Sequence, residues 1–140
     1  MTGVEHPDLE LIRQFESAAL PAAAWHHAQH IRIGWLMLER HGEFGTALDA
    51  VRAGIKKLNA AHGTVDGPGR GYHETMTHAF LRLIDSARRN YGREADSAAF
   101  VEAHPELARY CLRLFYSRGR IMSEEARARF VEPDLAALPG

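Results

Sequence analysis

Three histidines stand close together in the segment Trp25–His30, at positions 26, 27 and 30. Residues three and four apart share one face of an α-helix, so His27 and His30, or His26 and His30, can converge on one point. At about 100° of rotation per residue, His27 and His30 fall on the same side as the apolar Met37. An inward imidazole needs a partner, because an unsatisfied buried polar group costs about 1–3 kcal/mol. A metal ion is one such partner.

His73 is the third candidate ligand, because it falls near the start of the fourth predicted helix, on the same stripe as Phe80 and Ile84. In an up-down bundle the second and fourth helices run parallel, so their amino-terminal ends lie at the same end of the molecule. The sequence therefore predicts a mononuclear metal site formed by His27, His30 and His73, with an open position as in catalytic zinc sites. Zinc, iron, copper and nickel all suit these ligands, so the cofactor is predicted only as a divalent transition metal.

Glu16, Tyr72 and Glu74 are the candidate catalytic residues around that site. The first helix is expected to end near the histidines and to bring Glu16 there, while Glu74 adjoins His73 on the flank of its helix. Either glutamate could be a fourth ligand, accept a hydrogen bond from an imidazole N–H group, or act as a general base on a bound water. Tyr72 could donate a hydrogen bond to a substrate. His26 is expected to be a hydrogen-bonded neighbour of the site.

The elements that must position these residues are helices, because apolar residues recur at helical spacing and no segment shows sustained period-two alternation. The 140 residues are predicted to form one all-α domain, an up-down four-helix bundle with additional short helices near the carboxyl end. Residues 1–7 and 131–140 are predicted to be irregular tails. Helices are predicted over about 8–20, 23–41, 44–62, 72–90, 95–103, 105–116 and 123–130, with Gly42 ending the second and Ser123 capping the last.

The glycine-rich stretch Gly63–Gly71 separates the third and fourth predicted helices. It lacks the Gly-Lys-Ser/Thr ending of a phosphate-binding loop, which disfavours a nucleotide site. Two readings remain open, a plain interhelical linker or a mobile cover over the site.

His78 follows His73 by five residues. A zinc-protease motif needs a step of four residues between its histidines, so that motif is excluded. His78 is expected instead on the polar side of the fourth helix, with Arg82 and Asp85.

Composition limits the partners of the chain. The net charge is −1 with histidines neutral, which gives no excess of positive charge for nucleic acid. No apolar run is long enough for a membrane span, and the amino-terminal residues lack the apolar run of a signal peptide.

Cys111 is the single cysteine, which favours a reducing cytoplasm, and it is expected to be a small core residue. Trp35 lies on the side of its helix away from the histidines, where it could pack against another helix or between the two subunits of a homodimer.

Two motifs together resemble a group of short bacterial proteins of unassigned function: Trp-x-His-x-x-His at Trp25–His30 and Gly-Tyr-His-Glu-Thr-x-Thr at Gly71–Thr77. The resemblance spans most of the chain. More loosely, the architecture is similar to the DinB/YfiT-like metalloproteins, helical bundles with a three-histidine site that include thiol-dependent transferases and hydrolases. In that superfamily two ligands share a late helix, whereas here the pair would lie on the second.

The residues and the resemblance favour a small metal-dependent enzyme acting on a small-molecule substrate, with the metal as Lewis acid or activator of water. The choice among hydrolase, transferase and oxidoreductase stays open. The alternative is a non-catalytic module that binds a ligand or a partner protein. In a third possibility the histidines are purely structural and bond to the side chains of Glu16, Tyr72, Glu74 or Thr77.

Overall fold

Helices make up most of the chain in the computed structural model, which describes residues 6–140. Within that range there is no β-strand, so the all-α prediction is confirmed. No helix in the described range is long and apolar enough to cross a membrane. The α-helices are α1 Pro7–Glu16, α2 His27–His41, α3 Phe44–Ala61, α4 Glu74–Asn90, α5 Ser97–Ala103, α6 Arg118–Ile121 and α7 Glu124–Ala128. Short 3₁₀ segments cover Ala22–Ala24, Pro105–Leu107 and Cys111–Leu114.

α2 forms the centre of the molecule. It packs against α1, α3, α4 and α5, and its side chains at Ile33, Met37 and Leu38 are almost completely buried. A helix covered on several sides needs apolar residues around much of its circumference, and α2 has them. Trp35 stacks on Phe100 of α5 with ring centroids 5.8 Å apart, so the side chain that left a homodimer open is packed within its own chain.

Asp8 joins the start of α1 to α2 and α5. Its carboxylate accepts hydrogen bonds from the N–H group of Ser97 at 3.0 Å, from the Ser97 hydroxyl, and from the Arg32 guanidinium at 3.3 Å. Burial raises the pKa of Asp8, but these hydrogen bonds outweigh it and the net shift is downward. The carboxylate therefore stays charged and holds three helices together.

The helix ends match the sequence wherever a local cap sets them. Gly42 ends α2 in the left-handed conformation, with φ at +72°, and the hydroxyl of Ser123 accepts a hydrogen bond from Ala126 at the start of α7. The predicted start of α2, at about residue 23, lies too early in the chain. Ala22–Ala24 forms a separate 3₁₀ turn and Trp25 leaves the helical path, so α2 begins only at His27.

The helix predicted over 105–116 is wrong, because the chain there forms two 3₁₀ segments. In an α-helix the carbonyl of Leu107 would accept from the N–H group of Cys111. Here His27 hydrogen-bonds that carbonyl, with its Nε2 at 2.8 Å, and Cys111 donates to Ala108 instead. A long-range hydrogen bond has replaced the local one.

The segment 131–140 contains no helix or strand, but its first residue is not on the surface. Val131 is buried, and its N–H group donates to the Thr75 hydroxyl while its carbonyl accepts from the Tyr116 hydroxyl. The amino-terminal tail was predicted to run to residue 7, yet Pro7 already belongs to α1, and residues 1–5 lie outside the described range.

Replacing Gly54 by Ala should destabilise the fold. A Cβ atom there would lie 2.2 Å from two ring carbons of Phe15, which is almost completely buried. Overpacking costs about 1–3 kcal/mol, against a gain of about 1 kcal/mol from helix propensity. We expect a net loss of free energy of unfolding in urea titration. Gly45→Ala is the control, because its nearest atom would be 3.4 Å away; equal stability of the two variants would contradict this packing.

Candidate functional site

The structure brings His27, His30 and His73 to the wall of one cavity. The cavity has a volume of about 830 Å³ and lies between α2, α3 and α4, with Arg109 and Tyr110 at its edge. Its floor is apolar and includes Val51, Ile55, Phe80 and Ile84. The described residues that line it include no aspartate and no glutamate.

His73 is the N-cap of α4 rather than a residue within it. Its Nδ1 accepts a hydrogen bond from the N–H group of Met76 at 3.1 Å, so the proton is on Nε2, which donates to the carbonyl of Ile121 at 2.7 Å. Both ring nitrogens are therefore engaged, and only ring carbons remain to face the cavity. Burial lowers the pKa of His73, which keeps this tautomer uncharged.

His27 joins α2 to the segment beside the cavity. A carbonyl oxygen can only accept, so the contact of 2.8 Å between His27 Nε2 and Leu107 O places the ring proton on Nε2. The ring also makes an edge-on contact with Phe80, with centroids 5.1 Å apart. The other nitrogen, Nδ1, has no hydrogen-bond partner among the described residues.

His30 stands in the cavity with neither ring nitrogen hydrogen-bonded to a described residue. Its ring stacks on the indole of Trp25 with centroids 3.8 Å apart, and Trp25 in turn stacks on Phe15. His30 is exposed at the mouth of the cavity, and the residues packed around its ring reduce its contact with water. This desolvation, with a smaller contribution from His27, lowers the pKa of His30 to about 4. At neutral pH His30 is an uncharged imidazole with two free nitrogens.

His26 lies at the mouth of the same cavity and is exposed. Its backbone N–H group donates to the side-chain oxygen of Gln29 at 3.2 Å, which helps to start α2. His62 bonds the carbonyl of Leu20 through Nε2 at 2.7 Å and ties the end of α3 to the chain after α1. His27, His62 and His73 thus bond main-chain carbonyls rather than the side chains that the sequence suggested.

Glu74 lines a second cavity, of about 840 Å³, and not the first. Its carboxylate receives two hydrogen bonds from Arg52, at 2.8 and 2.7 Å, and one from the Tyr72 hydroxyl at 2.7 Å. Burial raises the pKa of Glu74, but the bonds from Arg52 and Tyr72 reverse that effect and the net shift is downward. Tyr72 lines both cavities, and burial together with Glu74 raises its pKa. Glu74 is thus held as a charged clamp between α3 and α4.

Glu16 lies away from both cavities. It is exposed, its carboxylate pairs with Arg40 at 2.6 Å, and its backbone carbonyl accepts from Lys57 at 2.8 Å. Of the three candidate catalytic residues, only Tyr72 therefore lines the histidine cavity, and its hydroxyl is directed to Glu74.

Two further side chains can be located against their predictions. His78 is half-buried and stacks on Phe130 with centroids 3.9 Å apart, so it packs against the carboxyl-terminal segment rather than projecting into solvent. Cys111 is half-buried, and burial raises its thiol pKa to about 11. A thiol with that pKa stays protonated at neutral pH and is a poor nucleophile.

The stretch Gly63–Gly71 lines the second cavity and is fastened at its end. The guanidinium of Arg127 donates to the carbonyl of Arg70 at 3.0 Å and to that of Tyr72 at 3.2 Å. Gly71 has a φ of +91°, and a Cβ atom there would lie 2.2 Å from the carboxylate of Asp66. The stretch is a turn over the cavity that holds Glu74, and its last residue, Gly71, also lines the histidine cavity.

Arg109 lines the cavity, and the sequence did not predict it there. It lies in the segment that was predicted to be helical, where its side chain had no reason to meet the histidines. The bond between His27 and Leu107 holds this segment beside the cavity, together with the burial of Leu107 and Leu112 in the core. The local sequence does not predict a hydrogen bond between residues that are 80 positions apart.

Within residues 6–140 no group of three or more His, Cys, Asp or Glu side chains is placed to hold a metal ion. Of the three predicted ligands, His30 has two ring nitrogens and His27 has one, Nδ1, that bond no described residue. Neutral imidazoles can donate or accept a hydrogen bond, or coordinate a metal.

Comparison with protein-family models, with curated proteins and with solved structures returned no match for this chain. The site is therefore interpreted from its own geometry.

Replacing His73 should distinguish a structural cap from a residue with free nitrogens. His73→Ala removes the cap of α4 and leaves the Ile121 carbonyl without its donor, so we expect a loss of about 2–4 kcal/mol in free energy of unfolding. His73→Asn restores a good N-cap and should recover about 1 kcal/mol. Urea titration at neutral pH measures both. A His73→Ala variant as stable as the parent protein would contradict this role.

Proposed function

We propose that the protein binds a small, largely apolar molecule in the histidine cavity, and that His30 makes the polar contact with it. One observation carries the proposal: His30 is an uncharged imidazole at the mouth of a mostly apolar cavity, and it is hydrogen-bonded to no described residue. A neutral imidazole can both donate and accept a hydrogen bond. A ligand in the cavity would bond His30 without breaking a bond within the protein.

The size and lining of the cavity support the same proposal. Small-molecule sites have volumes of about 300–1,000 Å³ and combine apolar walls with a few polar groups. The cavity of about 830 Å³ has an apolar floor and carries polar groups at His30, Asn59 and Arg109. Flat ring surfaces line the cavity at His30, which stacks on Trp25, and at Phe80. A ligand with one or two rings is the kind of molecule that this lining suits.

We assign no reaction to the cavity. The two glutamates that the sequence nominated as general bases are paired with Arg40 and Arg52 outside it. An imidazole whose pKa is about 4 is a weak base at neutral pH. Binding needs neither group, and for this reason binding is the function that the geometry supports best.

A metal-dependent role is the second candidate, favoured by one specific observation. His27 and His30 are neighbours on α2, and each has a free ring nitrogen. Because the pKa of His30 is low, its imidazole is already neutral at pH 7 and does not have to release a proton before it coordinates a metal. Zinc, iron, copper or nickel would then bind to these two residues, and His73 would join only by giving up its bond to Ile121.

We infer in addition that α1 to α4 run alternately up and down. The end of α1 meets the start of α2 where Phe15 stacks on Trp25, and the end of α3 reaches the same region through the bond between His62 and Leu20. The start of α4 lies beside the same cavity through His73. Two helix starts and two helix ends therefore gather at one end of the molecule. A cytoplasmic location remains a prediction from the single cysteine.

Calorimetric titration with 2-naphthalenemethanol, an uncharged two-ring probe, tests the proposal on protein purified without a histidine tag and stripped of metal. We expect saturable binding without metal, weakened about tenfold in His30→Ala, the effect of one lost hydrogen bond and ring contact. Asn59→Trp should abolish binding by filling the cavity. Ala60→Trp is the matched control, because the neighbouring residue is exposed and lies outside the cavity.

Absence of saturable binding, or equal binding by the Asn59→Trp and Ala60→Trp variants, would contradict the proposal. Stoichiometric zinc uptake that disappears in both His27→Ala and His30→Ala would favour the second candidate instead.

A further inference from the structure

We propose that the histidine cavity selects an aromatic carboxylate, with the guanidinium of Arg109 as the anchor for its negative charge. This inference rests on the proposed binding function and specifies the chemical class of the ligand.

The charges around the cavity carry the inference. The described lining residues include no carboxylate, and Arg109 contributes the formal positive charge at the edge. His30 is uncharged at neutral pH and adds none. An ammonium group entering this space would lose water and find no opposite charge, which is strongly unfavourable. A carboxylate would find a guanidinium, which can hold it through two parallel hydrogen bonds.

Arg109 is exposed at the edge of the cavity. Its guanidinium lies over the ring of Tyr110, with 5.5 Å from Cζ to the ring centroid. No carboxylate among the described residues pairs with it. The hydrogen bond from His27 to the Leu107 carbonyl, two residues earlier, fixes the segment against the cavity. His27 is therefore a positioning residue for the anchor.

The apolar part of the ligand follows from the remaining walls. His30 is backed by Trp25 through a close ring stack, and Phe80 meets His27 edge-on across the cavity wall. A neutral imidazole backed by an indole presents a flat, weakly polar face to a planar ring. Ring and carboxylate together match the apolar interior and the cationic edge.

Three probes with the same rings test the charge preference: 2-naphthoate, 2-naphthalenemethanol and 2-naphthylmethylamine in its ammonium form. We expect the carboxylate to bind at least about tenfold more tightly than the alcohol, the size of a charge-assisted hydrogen bond, and the ammonium to bind more weakly than the alcohol. Arg109→Gln should lower the affinity for 2-naphthoate to that for the alcohol, and leave the alcohol unaffected.

Arg113→Gln is the matched control. Arg113 also lies over the ring of Tyr110, with its Cζ 4.4 Å from the centroid, but it does not line the cavity. Its replacement should leave the affinity for 2-naphthoate unchanged. Equal affinities for carboxylate and alcohol, or equal losses in the two arginine variants, would overturn this inference while leaving the proposed function intact. If neither the alcohol nor the carboxylate binds saturably, both are overturned.

Discussion

The hydrogen bond between His27 Nε2 and the Leu107 carbonyl, at 2.8 Å, is the contact on which the site depends. It joins α2 to a segment 80 residues later in the chain and takes the carbonyl that a continuing helix would need. The segment forms short 3₁₀ turns, and Arg109 within it lines the cavity. One imidazole thus helps to hold the cavity edge through Nε2, while its Nδ1 bonds no described residue.

His30, His62 and His73 differ in their hydrogen-bond partners. His62 and His73 bond main-chain carbonyls and stabilise helix ends, as His27 stabilises the segment after α5. His30 bonds none of the described residues and faces the cavity. Since burial lowers the pKa of His30 and His73 below that of an unfolded histidine, about 6.5, the unfolded chain binds more protons below that pH. Stability present at neutral pH is accordingly lost as the pH falls.

Helical periodicity and local caps were enough to predict the all-α fold, the end of α2 at Gly42 and the cap of α7 at Ser123. They also predicted that His27, His30 and His73 lie in one region, and the three residues line one cavity. They could not predict what each ring nitrogen bonds, because the partners of His27 and His73 are carbonyls 80 and 48 residues away. The ion pair between Arg52 and Glu74 could not be predicted either. It joins α3 and α4, and the sequence does not determine how each helix is rotated about its own axis.

The fold fixes His27 and His73, whereas His30 is uncharged and bonds no described residue. Long-range ¹H–¹⁵N correlation spectra of the histidine rings, recorded from pH 7 down to pH 4, distinguish these states. We expect His27 and His73 to carry a proton on Nε2, and His30 to titrate with a pKa of about 4. A His30 that titrates near the ordinary value of about 6.5, or a His73 protonated only on Nδ1, would contradict these assignments.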